Sequence, residues 1–98
     1  MNSEIDPRQT GEKFSLGRLV ATPHAISSLS PENIRNALRR HAIGDWGYLS
    51  EEDRLANEQA LLGGERLLSV YRSEAGVKFY VITEWDRSVT TVLLPEDY

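Results

Sequence analysis

The feature that most constrains this chain is a change of period. From Arg66 onward the apolar residues recur every second position instead of every third or fourth, the signature of half-buried strands. Arg66 to Arg72, Val77 to Trp85 and Val89 to Leu94 form three such runs. Ser73-Glu74-Ala75-Gly76 joins the first pair and Asp86-Arg87-Ser88 the second, and Pro95 ends the series because it cannot donate to a ladder. Connections this short pair neighbouring strands antiparallel, so the last third of the chain is expected to be a three-stranded antiparallel meander.

The first two-thirds follow helical rules. Thr22-Pro23 and Ser30-Pro31 each place a hydroxyl cap before a proline at the first helical position. In the second of these helices Ile34, Ala37, Leu38 and His41 fall on one stripe, Arg39, Arg40 and His41 occupy the last turn, and Gly44 stops it. Ser50-Glu51-Glu52-Asp53 opens a further helix with acids in its first turn. Its expected buried stripe is Leu55, Gln59 and Leu62, with Ala56 and Ala60 beside it, and Gly63-Gly64 ends it. Phe14 to Ala21 reads as a short strand with Gly17 as a bulge, and polar, aperiodic residues 1–13 read as a flexible arm. The fold class expected is therefore α+β: a single domain over 14–98 with a short N-terminal strand, two or three short helices, and a meander covered by helices on one face. Leu38, Leu55, Leu62, Leu68, Val70, Val81, Val92 and Leu94 are expected to form its core with Trp46.

Composition narrows the functional classes. A chain of 98 residues has room for one modest core. It contains no cysteine, which removes disulfides, thiolate nucleophiles and cysteine-ligated zinc. No cofactor motif is present, and His24 and His41 have no companion acids at metal-ligand spacing, so neither a cofactor nor a metal is expected. The N-terminus lacks the apolar core of a signal peptide and no run is long enough to span a bilayer, making the cytoplasm the default compartment. A net charge of −4 argues against a dedicated duplex-DNA binder. Only Lys13 and Lys78 are lysines, so nine of the eleven positive charges are arginines, whose planar forks suit carboxylates and phosphates.

Two constellations are candidates for chemistry. In His41-Ala42-Ile43-Gly44-Asp45-Trp46-Gly47, His41 has the pKa range of a general base and Asp45 is a candidate to orient it. The structural reading has His41 on the apolar stripe, Trp46 plugging the core edge and Asp45 satisfying loop N–H groups. The second constellation is Thr83-Glu84-Trp85-Asp86-Arg87-Ser88-Val89-Thr90-Thr91, more polar than a turn requires. With Arg66 and Tyr71 from the neighbouring strand, Glu84, Asp86, Arg87, Thr90 and Thr91 would assemble a carboxylate, arginines and hydroxyls fit for a phosphate or an oxyanion. Arg87, following an acidic turn, is the side chain expected to dock such a group bidentately. The structural reading pairs Glu84 with Arg87 and Asp86 with Arg66 as sheet-registering contacts.

The strings LGRLVATP, RHAIGDWG, NEQALLGGERLLSVYR and VITEWDRSVTTVLLPEDY resemble a family of short bacterial proteins met on plasmids, phages and other mobile regions. The resemblance covers residues 14–98, and GDWG and TE-x-DRS-x-TT-x-LLP are its most specific parts. It carries no activity with it. It implies a stand-alone bacterial domain in a setting where small acidic proteins grip other proteins, as inhibitors of host defence or as antitoxins. A weaker similarity is to the barnase/RelE-type ribonuclease fold, which would make Glu84 the base, Arg66 and Arg87 the phosphate clamps, and His41 the acid, with RNA as substrate. The acidic charge and the lack of any histidine after residue 41 depart from that pattern. The reading favoured is a protein-binding module, with the metal-independent ribonuclease as the alternative.

Overall fold

The computed structural model describes residues 11–98. The elements run β1 (Arg18–Ala21), α1 (Pro23–Ser28), α2 (Pro31–Ala42), α3 (Glu51–Gly63), β2 (Leu67–Arg72), β3 (Lys78–Thr83), β4 (Val89–Leu93) and a 3-10 turn, Pro95–Asp97. All three helix starts follow from their caps: the side chains of Thr22, Ser30 and Ser50 accept from the N–H groups of Ala25, Asn33 and Asp53. Gly64 closes α3 in the left-handed conformation.

The protein is α+β, but its sheet is larger than a meander. β2, β3 and β4 are antiparallel neighbours, as their turns require, and β1 adds to β4 in parallel, giving the order β1-β4-β3-β2. The sheet is thus four-stranded and mixed, a correction to the three-stranded antiparallel expectation. Only the last four residues of the expected Phe14–Ala21 strand pair. Gly17 explains how the chain enters: a Cβ there would stand 2.5 Å from the Arg87 carbonyl oxygen and from Ser88, so the strand can start this close to the β3–β4 turn only through glycine. Of the expected flexible arm, residues 1–10 lie outside the described residues. Lys13 donates its N–H to the Ala42 carbonyl at 2.8 Å and is tied to the end of α2.

The helices cover one sheet face. Ala25, Leu29 and Ala37 pack with Tyr71, Phe79, Val81, Val92 and Leu94, and Trp46, Ala60 and Leu67 form a second cluster. The expected core needs two corrections. Leu55 and Leu62 are 57% and 91% exposed. The face that α3 buries carries Asn57, Ala60 and, in part, Leu61, on the side of the helix opposite the leucine stripe. Asn57 is there because it caps a strand edge: its amide donates to the Leu68 carbonyl and accepts from the Leu68 N–H. In β2 the fully buried side chains toward the helices are Leu67, Ser69 and Tyr71, which places Leu68 and Val70 on the opposite face.

The two sheet edges differ. Along β2, Asn57 serves Leu68, and residues 46–48 serve Val70 through the bonds Tyr48 N–H to Val70 O (2.8 Å) and Val70 N–H to Trp46 O (3.1 Å). β1 forms the other edge.

Candidate functional site

Three of the polar side chains singled out by the sequence, His41, Thr83 and Thr90, lie with Ser69 on one buried hydrogen-bonded line, and the rest lie elsewhere. His41, in the last turn of α2, is 0% exposed. Its Nδ1 lies 2.5 Å from Ser69 Oγ on β2 and its Nε2 lies 2.9 Å from Thr83 Oγ1 on β3. Thr83 Oγ1 is 2.7 Å from Thr90 Oγ1, its cross-strand partner on β4, and the Thr90 hydroxyl donates to the Leu16 carbonyl at 2.6 Å. Counting donors fixes the protons from Leu16 to the ring. The Leu16 carbonyl can only accept, so Thr90 gives its hydrogen there and takes one from Thr83. Thr83 must then accept from His41 Nε2–H; in a neutral ring Nδ1 accepts from the Ser69 hydroxyl. The line requires a proton on Nε2.

Electrostatics keep the ring neutral. Burial, with the positive charge of Arg87 adding to it, lowers the His41 imidazole from 6.5 to about 3. Phe14 and Trp46 meet its ring edge-to-face, with centroids 5.3 and 5.6 Å away. An imidazole sealed in this way, with both nitrogens engaged, has no route to a substrate proton.

Asp45 does not orient His41. Its carboxylate takes a two-pronged bond from Arg40, Nε to Oδ2 at 2.7 Å and Nη2 to Oδ1 at 3.2 Å, which holds it below the usual carboxylate range. Its main-chain carbonyl accepts the Tyr71 hydroxyl at 2.5 Å, and burial pushes that phenol upward. Trp46 is buried, its indole N–H donating to Glu58 at 2.8 Å. Gly47 runs against β2 so tightly that any Cβ would overlap the Val70 carbonyl oxygen. Asp45 and Trp46 thus hold the structural places the sequence allowed for them, and Gly47 lets the loop form a parallel bridge to β2.

The polar hairpin divides between the two sheet faces. Arg87, a non-glycine residue with φ of 61°, curls its guanidinium back to the end of α3. Nη1 donates to the carbonyls of Glu65 (2.6 Å), Glu84 (3.1 Å) and Trp85 (3.3 Å), and Nη2 donates to that of Ala60 (3.1 Å). Its planar group also lies over the Phe14 ring at 5.6 Å. The sequence had this fork docking a ligand; it docks backbone instead. Glu84 pairs with Arg66 at 3.4 Å, not with Arg87, and Arg66 reaches the Tyr98 hydroxyl at 3.2 Å on the face away from the helices. Asp86 accepts from the Ser88 N–H and hydroxyl instead of pairing with Arg66, and Ser88 lowers its pKa. Thr91 stands opposite Ile82 on the open face. His41 and Arg87 therefore lie on the helix side of the sheet while Glu84 and Arg66 lie on the other, so the four residues assigned ribonuclease roles do not converge.

Comparison of the chain with protein-family models, with curated proteins and with solved structures found no match. The case for a site rests on the chain's own geometry.

That geometry includes a cleft of about 350 Å³ between α2 and the adjoining ends of β2 and β3. Arg39, Arg40 and Arg72 line it, with Asn33, Asn36 and Glu74 at the rim and Tyr71 and Phe79 at the floor. Arg40 lies 4.7 Å above the Tyr71 ring and Arg72 lies 5.8 Å from that of Tyr48. Tyr71 and Asp45 were candidate residues in the sequence; the arginines around them were visible there only as a helix end and a strand end. Among the described residues no group of three His, Asp or Glu side chains is placed to hold a metal, and no helix is long and apolar enough to cross a membrane.

Proposed function

We propose that this chain is a protein-binding module and that the arginine-lined cleft receives an acidic segment of its partner. The observation that carries this reading is the meeting of Arg39 and Arg72 on one cleft of a chain whose net charge is −4, beside Arg40, whose own fork is held by Asp45. Arginine suits the task because its fork meets a carboxylate in two hydrogen bonds and its plane stacks on aromatic rings, as Arg40 does on Tyr71. The resemblance to short proteins of bacterial mobile regions extends the proposal to the partner's kind: a component of host defence that the chain inhibits, or a toxin that it neutralises. The ribonuclease alternative lacks a shared cleft for its acid, its base and its clamps.

The test uses the immobilised protein against a bacterial host lysate, with RNA cleavage in EDTA measured alongside. Wild type and Glu84→Gln should retain the same discrete protein and cleave nothing. The double reversal Arg39→Glu with Arg72→Glu should retain at least about tenfold less, the equivalent of about 1.4 kcal/mol. Undiminished retention by the double reversal would remove the cleft from the interface. RNA cleavage by wild type that Glu84→Gln abolishes would replace the binding reading with the enzymatic one.

A further inference from the structure

We propose that β1 is a self-association edge, pairing antiparallel with β1 of a second copy across a two-fold axis centred on Val20. The proposal does not rest on the arginine cleft, which lies on the other flank of α2.

The backbone supplies the first observation. Arg18 and Thr22 donate their N–H groups to Ser88 and Val92 of the β4 side, each at 3.0 Å. Groups of alternate residues point to alternate sides of a strand, so Leu19 and Ala21 direct their N–H and C=O groups away from the sheet. Among the described residues no acceptor meets either N–H. The β2 edge, by contrast, is served by Asn57 and residues 46–48. An edge strand without proline or lysine, and uncovered among the described residues, is a template for another strand.

The side chains supply the second observation. Leu19, Val20 and Ile26 are exposed at this edge. A groove of about 420 Å³ opens beside β1 on the helix side, walled by Ala21, Ile26, Leu29, Ile34 and Leu38. Pairing about Val20 makes Leu19 of each copy the partner of Ala21 in the other, forming two hydrogen-bonded pairs and four new backbone bonds. Each leucine then stands beside an alanine and fills the groove that this small side chain leaves. Val20 meets its own symmetry mate on the opposite face.

Charge selects the same register. Arg18 of one copy falls opposite Thr22 of the other, and the Thr22 hydroxyl donates to Asp97 at 2.7 Å. The two-fold axis therefore brings two arginines to two aspartates. Centring the pair on Leu19 instead would set Arg18 against Val20 and leave only one hydrogen-bonded pair between the extended residues. A closed two-fold contact uses the same patch twice, which this register does.

Sedimentation equilibrium of the full chain should show a species of twice the 11.1 kDa protomer mass at tens of micromolar. Val20→Lys sets two cations on the axis, and Ala21→Pro removes an outward N–H without touching the β4 ladder. Each should weaken the dimer at least about tenfold while the diluted proteins melt like wild type. Amide exchange of wild type gives a readout free of mutation: the Leu19 and Ala21 amides should slow with rising concentration, while that of Val20 stays protected throughout. A wild type monomeric to about 1 mM would overturn the proposal and leave this edge to a strand from another protein. So would a dimer in which the Leu19 and Ala21 amides ignore concentration, or one that both folded variants preserve.

Discussion

The buried imidazole of His41 makes the stability of this protein depend on pH below 6.5, starting above the range in which carboxylates add their own effect. Its folded pKa of about 3 lies below the ordinary 6.5 of the unfolded chain. A lowered folded value means that the unfolded state takes up the proton first. The contribution is therefore complete above pH 6.5 and is lost as pH falls from there toward 3. The loss grows by about 1.4 kcal/mol per pH unit and reaches about 2 kcal/mol at pH 5.0. Urea unfolding followed by tryptophan fluorescence at pH 7.5 and 5.0 measures it, with His41→Gln as the reference because glutamine keeps one donor and one acceptor but does not titrate. Wild type should lose about 2 kcal/mol more than His41→Gln over this interval, since the carboxylates common to both cancel in the difference. Equal losses in the two proteins, or an NMR titration of the His41 ring with a midpoint near 6.5, would refute the reasoning.

Arg87→Lys should lower stability by about 1–3 kcal/mol in a urea titration, because an ammonium cannot span the carbonyls of Ala60 and Glu65 while also holding the turn. The same substitution should leave retention of the partner protein unchanged wherever the folded fraction is matched. Gly47→Ala should abolish cooperative folding in thermal melts, since the added methyl overlaps the Val70 carbonyl and the residue sits at φ of 80°. Leu94→Ala should cost about 2–5 kcal/mol, whereas Leu62→Ala, on the exposed side of α3, should stay within about 0.5 kcal/mol.

Local rules were the most legible part of the sequence. Thr22, Ser30 and Ser50 announced their helices because a cap is satisfied within three residues and needs no tertiary partner. The turns before Val77 and Val89 likewise fixed the antiparallel pairs. Three things stayed hidden, each for a physical reason. The parallel pairing of β1 with β4 is set by a contact between Gly17 and residues 87–88, about seventy positions apart, and no local pattern encodes it. The burial of α3 turns on Asn57, a polar residue occupied with strand backbone, so the leucine stripe pointed to the wrong side. The third was the meaning of the hydroxyls. Thr83 and Thr90 read as residues of a polar site because interior positions are expected to be apolar, yet both point inward, and with Ser69 they complete the hydrogen bonding around one histidine. His41 on an apolar stripe was the available clue, since a buried imidazole must find partners for both nitrogens.

The line from Ser69 through His41, Thr83 and Thr90 to Leu16 also acts as a combination lock on the way the chain is threaded. It draws one member from each of β2, α2, β3, β4 and the lead-in to β1, and with the ring neutral every hydrogen on it has a single permitted direction. A slip of one residue between β3 and β4 would turn one threonine of the pair to the open face, and a slip of two would set Thr83 against a valine or leave it beyond the strand. Either error strands a buried donor beside the ring at about 1–3 kcal/mol, and partial closure relieves none of it. Such a lock rewards only the complete arrangement. Its energy should arrive after the folding barrier, so that Thr90→Val speeds unfolding while leaving the folding rate almost untouched.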